Sequence, residues 1–122
     1  SITTAVPPTS CNISGLLAGE ALAAGDACYI KTTDGKVYRS IGTSVNAAAA
    51  VDGYVPTDCP AGEPTSLYYN VQFQYGAALS PGTFCYLSGT VPGGLDTVAS
   101  TGGTMVIGRV IDATRIRLNP SY

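Results

Sequence analysis

The sequence contains no histidine and no tryptophan, a single methionine, and charged side chains at only 11% of its 122 positions. An ordinary globular domain carries roughly 25% charged residues. Each absence excludes a class of function. Without imidazole there is no Ser-His-Asp triad, no Cys-His pair and no histidine metal ligand. Six Lys and Arg against eight Asp and Glu give a net charge of −2, so no basic surface for nucleic acid is expected. The longest uninterrupted apolar run is 47–51, far short of the roughly 20 residues of a membrane-spanning helix, and no membrane partner is expected. The chain opens Ser1-Ile2-Thr3-Thr4 without a basic stretch leading into an apolar one, so no secretory signal is expected either.

Catalytic arrangements are equally sparse. The acids are Glu20, Asp26, Asp34, Asp52, Asp58, Glu63, Asp96 and Asp112, and most lie beside glycine, where turn formation accounts for them. No pair stands out as a glycosidase-type couple. Gly93-Gly94 and Gly102-Gly103 precede neither a helix nor a lysine, so they read as turns rather than phosphate cradles. The four cysteines, Cys11, Cys28, Cys59 and Cys85, are separated by 17, 31 and 26 positions. A zinc site normally needs two close pairs. No enzyme activity, cofactor or metal is expected.

What is present is small. Ala, Gly, Thr and Ser fill 54 of the 122 positions, leaving a core that rests on few large residues. The expected contributors are Leu16, Leu22, Ile30, Val37, Val51, Leu67, Val71, Phe73, Leu79, Leu87, Val106, Ile107, Val110, Ile116 and Leu118. Cys28 and Cys85 sit in strand-like runs and read as small buried hydrophobes. Cys11 and Cys59 lie in proline-containing loops, where a bridge between them is a weaker reading. A core this thin leans on association for stability.

The pattern along the chain is β. Residues 66–75 alternate large and polar side chains at period 2, which reads as one long strand. Shorter strands are expected over 26–33, 36–41, 83–88, 95–99, 104–111 and 114–118. Asp34-Gly35 between the first two supplies the signal of a type I′ hairpin turn. Ala47 to Ala50 reads as an extended segment or a single helical turn. Pro7-Pro8 and the absence of charge make 1–14 an extended N-terminal arm, with 15–122 as one β domain.

That domain repeats itself. Positions 19–30 and 76–87 share G-x-x-L-x-x-G-x-x-C-Y-[IL], an offset of 57 residues, and Val51-Asp52-Gly53-Tyr54-Val55 is echoed by Val106-Ile107-Gly108-Arg109-Val110. Two halves, about 18–56 and 75–111, imply a pseudo-symmetric small antiparallel β-barrel or β-sandwich; two copies at this spacing are too few for a solenoid. Eight tyrosines offer amphipathic contact area. Arg115 and Arg117 share a strand face, opposite Ile116 and Leu118.

The residues of this repeat, together with Asp34-Gly35-Lys36-Val37-Tyr38, Ala61-Gly62-Glu63-Pro64-Thr65 and Tyr75-Gly76, resemble the small capsid decoration (cement) proteins of tailed bacteriophages. The resemblance covers most of 16–118 and rests on short motifs of common turn residues. It implies a structural virion protein on the outer surface of a mature capsid, assembled in the host cytoplasm. It further implies the major capsid protein as partner, self-association as a homotrimer, and an N-terminal arm ordered against the shell. The interface residues expected on this basis are Ile2, Val6, Pro7, Pro8, Tyr54, Tyr68, Arg115, Arg117 and Tyr122. The competing expectation is a secreted carbohydrate-binding or adhesion β-module, with tyrosines stacking on sugar rings and oxidised cysteines.

Overall fold

The repeat in sequence is a repeat in space. The computed structural model describes residues 11–43, 47–74, 78–99 and 105–119, with only the backbone of Ala47 and Val71. Among these, ten strands run in chain order: β1 Asn12–Leu17, β2 Ala27–Ile30, β3 Val37–Arg39, β4 Gly53–Tyr54, β5 Pro64–Tyr68, β6 Val71–Gln74, β7 Phe84–Leu87, β8 Leu95–Asp96, β9 Val106–Val110 and β10 Arg115–Leu118. The first five form one sheet in the order β1-β5-β4-β2-β3, and the last five form a second in the order β6-β10-β9-β7-β8. Adding five to each label converts the first order into the second. The chain therefore folds as two successive copies of one antiparallel unit, the all-β architecture of two similar halves expected from the sequence.

The correspondence holds at single residues. Gly25 and Gly82 take φ of +84° and +83°, and their amides donate to Val55 O and Val110 O at 2.7 and 2.8 Å. The turns they close lead into β2 and β7. In the strands that follow, Cys28 pairs with Gly53 and Cys85 pairs with Gly108. Both partner glycines are sterically required. A Cβ on Gly53 would lie 2.8 Å from Leu67 Cβ, and one on Gly108 would lie 2.7 Å from the Arg117 carbonyl. The repeated leucines both turn inward: Leu22 is buried in the first core and Leu79 packs against the second.

The two halves stack in tandem. The core of the first is built from its own residues Ala18, Leu22, Cys28, Val37, Val55, Cys59 and Leu67. The core of the second combines Cys85, Leu87, Ile107, Val110, Ile116 and Leu118 with Ala27, Val51 and Tyr54 of the first. Successive strand residues face opposite ways, so Ala27 and Cys28 project to opposite sides of β2. The first sheet is consequently buried on both faces and the second on only one. Backbone bonds seal the joint: Ala27 N donates to Gly93 O, Gly93 N to Ser40 O, and Gly42 N to Ser88 O, all within 3.0 Å.

Several expectations are corrected. The alternation over 66–75 is not one strand. It breaks between β5 and β6 at Asn70, whose φ of +54° is left-handed, and the chain crosses there from the first sheet to the second. Asn tolerates this conformation better than most residues. The last three residues of the expected 1–14 arm belong to β1, since Asn12–Leu17 is a strand paired with β5, Asn12 opposite Tyr68. Residues 1–10 lie outside the described residues. The 26–41 hairpin forms, but its loop is wider than a type I′ turn. Lys31 N bonds Lys36 O and Gly35 N bonds Lys31 O, and of Asp34 and Gly35 only Gly35 has positive φ. Val106 belongs to the surface, 47% exposed, because the register shift between Cys85 and Tyr86 places it opposite Tyr86. Ala47–Ala49 makes the single 3-10 turn.

Candidate interaction surface

The uncovered face of the second sheet carries a row of residues fixed by strand register. Gln72 of β6 lies opposite Arg117 of β10, Arg117 opposite Arg109 of β9, and Arg109 opposite Phe84 of β7. Arg109 donates from Nε to Gly82 O at 3.2 Å and stacks its guanidinium over the Phe84 ring at 5.2 Å. The charge of Arg109 meets no acid, and the Arg117 side chain has no hydrogen-bond or ion-pair partner among the described residues. Like charges directly opposite on a sheet are destabilising, so this pair is retained against a local cost. Beside it Phe84 and Val106 are each 47% exposed. Together these side chains line a groove of about 410 Å³.

The equivalent row of the first sheet is Ala27, Tyr54 and Tyr68, by the same pairing. Ala27 and Tyr54 are buried against the second half. The repeat thus uses this face once for packing and leaves its second copy open.

Of the residues expected at an interface, Arg117 stands in this groove. Arg115 is on the same strand face, as expected, with Ile116 and Leu118 buried behind it. Its guanidinium is committed to Asp112 at 2.8 Å and to Gln72 Oε1 at 3.2 Å. That hydrogen bonding, with the Thr114 amide, holds the Asp112 carboxyl below the usual carboxylate range. Tyr54 is a correction: it is fully buried and cannot meet a partner on the surface. Its hydroxyl donates to Asn119 O at 2.8 Å, with Ile107 O at 3.3 Å, and its ring meets Phe73 edge-on at 6.5 Å. Burial pushes its phenol well above the ordinary tyrosine range. Ile2, Val6, Pro7, Pro8 and Tyr122 lie outside the described residues.

Tyr68 is half-buried and belongs to a different groove. This one is lined by Pro56, Pro60 and Pro64 with the exposed acids Asp58 and Glu63. Asp58 accepts a bond from Ala24 N at 2.9 Å, and no cation pairs with either carboxylate among the described residues. None of Asp58, Glu63, Phe84 and Val106 is among the interface residues expected from the sequence, which places Val106 in the core. The signal for Phe84 lay in β7 itself, where Phe84 and Tyr86 alternate with the inward Cys85 and Leu87.

Three further acids serve the fold. Asp26 accepts from Ala23 N, Asp34 from Lys36 N and the Tyr38 hydroxyl, and Asp52 from Ile30 N. All four cysteines are unbridged; Cys28, Cys59 and Cys85 are buried and Cys11 is exposed. Burial pushes the Cys28 and Cys85 thiols up, so both are protonated and inert near neutral pH. No three His, Cys, Asp or Glu among the described residues gather as a metal site. No protein-family model matches the chain, and no curated protein matches it in sequence.

Proposed function

We propose that this chain is a structural virion protein that binds the outer surface of a mature tailed-phage capsid and stabilises the shell, working as a self-associating homotrimer without catalysis. The observation that carries the reading is the open face of the second sheet. Two arginines without acidic partners lie beside exposed Phe84 and Val106, on the repeat-equivalent of a face that the first half buries. Arginine and aromatic side chains are the residues enriched where proteins meet. The repeated motifs that resemble decoration proteins supply the choice of partners, the major capsid protein and further copies of this chain. A protein that binds the mature shell better than its precursor stabilises the mature state by the difference in binding free energy. The remainder of the expected interface, Ile2, Val6, Pro7, Pro8 and Tyr122, is part of this proposal as the shell-contacting arm and terminus.

The test is co-sedimentation with mature and precursor shells of the phage that encodes the chain. Saturable binding at a fixed ratio, tighter to the mature form, is expected; no binding by folded protein refutes the reading.

The carbohydrate-module alternative is less well supported. Its best stacking platform, Tyr29 with Tyr38 at 6.2 Å, is already engaged, with Lys31 over the Tyr38 ring and the Tyr38 hydroxyl bonded to Asp34 at 2.6 Å. Thiol titration separates the two. Cytoplasmic assembly keeps cysteines reduced, so one fast-reacting thiol, Cys11, is expected in the native protein and four after unfolding. Fewer than four would favour the secreted module.

A further inference from the structure

If the open face of the second sheet is a protein-binding surface, as the proposed function holds, it needs an occupant. We propose that the occupant is a second copy of this chain, which presents its proline-lined groove of Asp58 and Glu63. The charges divide by half. Residues 1–74 hold six acids against three cations, a net of −3, and residues 75–122 hold three arginines against two acids, a net of +1. Internal pairing takes up Arg39 with Glu20 and Arg115 with Asp112. Of the charged residues outside these pairs, Arg109 and Arg117 line one groove and Asp58 and Glu63 line the other, two cations against two anions. The apolar parts match as well: Phe84 and Val106 meet Pro56, Pro60, Pro64 and Tyr68, which lose little side-chain freedom on contact. Arginine suits this role because its planar fork engages a carboxylate through two parallel hydrogen bonds.

The two grooves share no residue. The contact is therefore head-to-tail: each copy gives its arginine face to one neighbour and its acidic groove to another. Such contacts close into a ring where the rotation allows and otherwise extend as a chain. The fold contains its own precedent, since the first half already buries the equivalent of the arginine face against the half that follows it. Partners brought together this way neutralise the Arg109–Arg117 repulsion that the isolated chain carries.

The experiment is sedimentation of the purified full chain without shells. Wild type is expected to associate reversibly, and more weakly at high salt because exposed charge pairs are screened. The double variants Arg109→Glu/Arg117→Glu and Asp58→Lys/Glu63→Lys, each with an unchanged circular dichroism spectrum, are expected to associate on the order of 100-fold more weakly. Mixed together they should associate again, because each now offers both grooves in the sign the other needs. Should either double variant fail to fold, Arg117→Gln must still weaken association. Wild type that sediments as a single chain at every concentration overturns the proposal, as does a mixture of folded variants that stays apart. Shell binding is read on the same samples. Single chains that still saturate shells refute this contact and the homotrimer and leave shell binding standing; self-association with no shell binding does the reverse.

Discussion

Tyr54 ties the two halves together with one hydroxyl. It reaches from β4 to the carbonyls of Asn119 and Ile107 in the other half. Removing the hydroxyl takes away the bond to Asn119 O, while Ile107 O keeps its bond from Asn119 N. Tyr54→Phe should therefore destabilise the fold by about 0.5–1.5 kcal/mol, read from the midpoint of urea unfolding with an unchanged slope. Asp26 acts in the opposite sense. Burial outweighs its bond from Ala23 N and raises its pKa, so the folded chain holds this proton more tightly than the unfolded one. That stabilising contribution is complete below the ordinary carboxylate pKa of about 4 and is lost as pH rises through the raised value. Asp34 and Asp112 are lowered by their hydrogen bonds, to Tyr38 and to Arg115 first. Their contribution is present above the ordinary value and lost as pH falls. Asp26→Asn should flatten the decline of stability on the rising side of this window and leave the acid-side decline in place, measured by urea titrations across pH.

The decisive element is the break between β5 and β6, where the chain leaves one sheet for the other. Asn70 holds the left-handed turn. Asn70→Val should cost about 1–2 kcal/mol because a β-branched residue resists that conformation, whereas Asn70→Gly should be close to neutral in the same unfolding measurement. This break was hard to read in the sequence because both strands alternate in phase, so the pattern runs through the turn unmarked except by Asn70 itself. The repeat was legible for the converse reason. Gly25 and Gly82 close turns, and Gly53 and Gly108, paired with Cys28 and Cys85, sit where β5 and β10 come too close for a Cβ. Those requirements are met within one half and so recur at a nearly fixed offset in the other. The burial of Tyr54 and the exposure of Phe84 depend instead on which face of one sheet stacks on the other. Two equivalent faces, Ala27–Tyr54 and Phe84–Arg109, have opposite fates, and no local pattern encodes that difference.

For the whole molecule, sparse charge and small side chains take on a definite meaning. A chain in which 54 of 122 residues are Ala, Gly, Thr or Ser builds thin cores, and tandem stacking buries both faces of the first sheet but one face of the second. The uncovered face holds Arg109 and Arg117 without acidic partners among the described residues, and the first half carries the excess of acid. Stability and function then meet at the same surfaces, because a partner that covers them completes the stacking the fold leaves unfinished. The proposed partners are other copies of this chain and a mature phage shell. A binding isotherm of the purified chain on mature shells, beside precursor shells, puts the shell to the test. Saturation is expected at a fixed number of chains per shell, tighter on the mature form, with the bound shell resisting heat better than the bare one. Folded protein that leaves mature shells unbound and no more heat-resistant would contradict it.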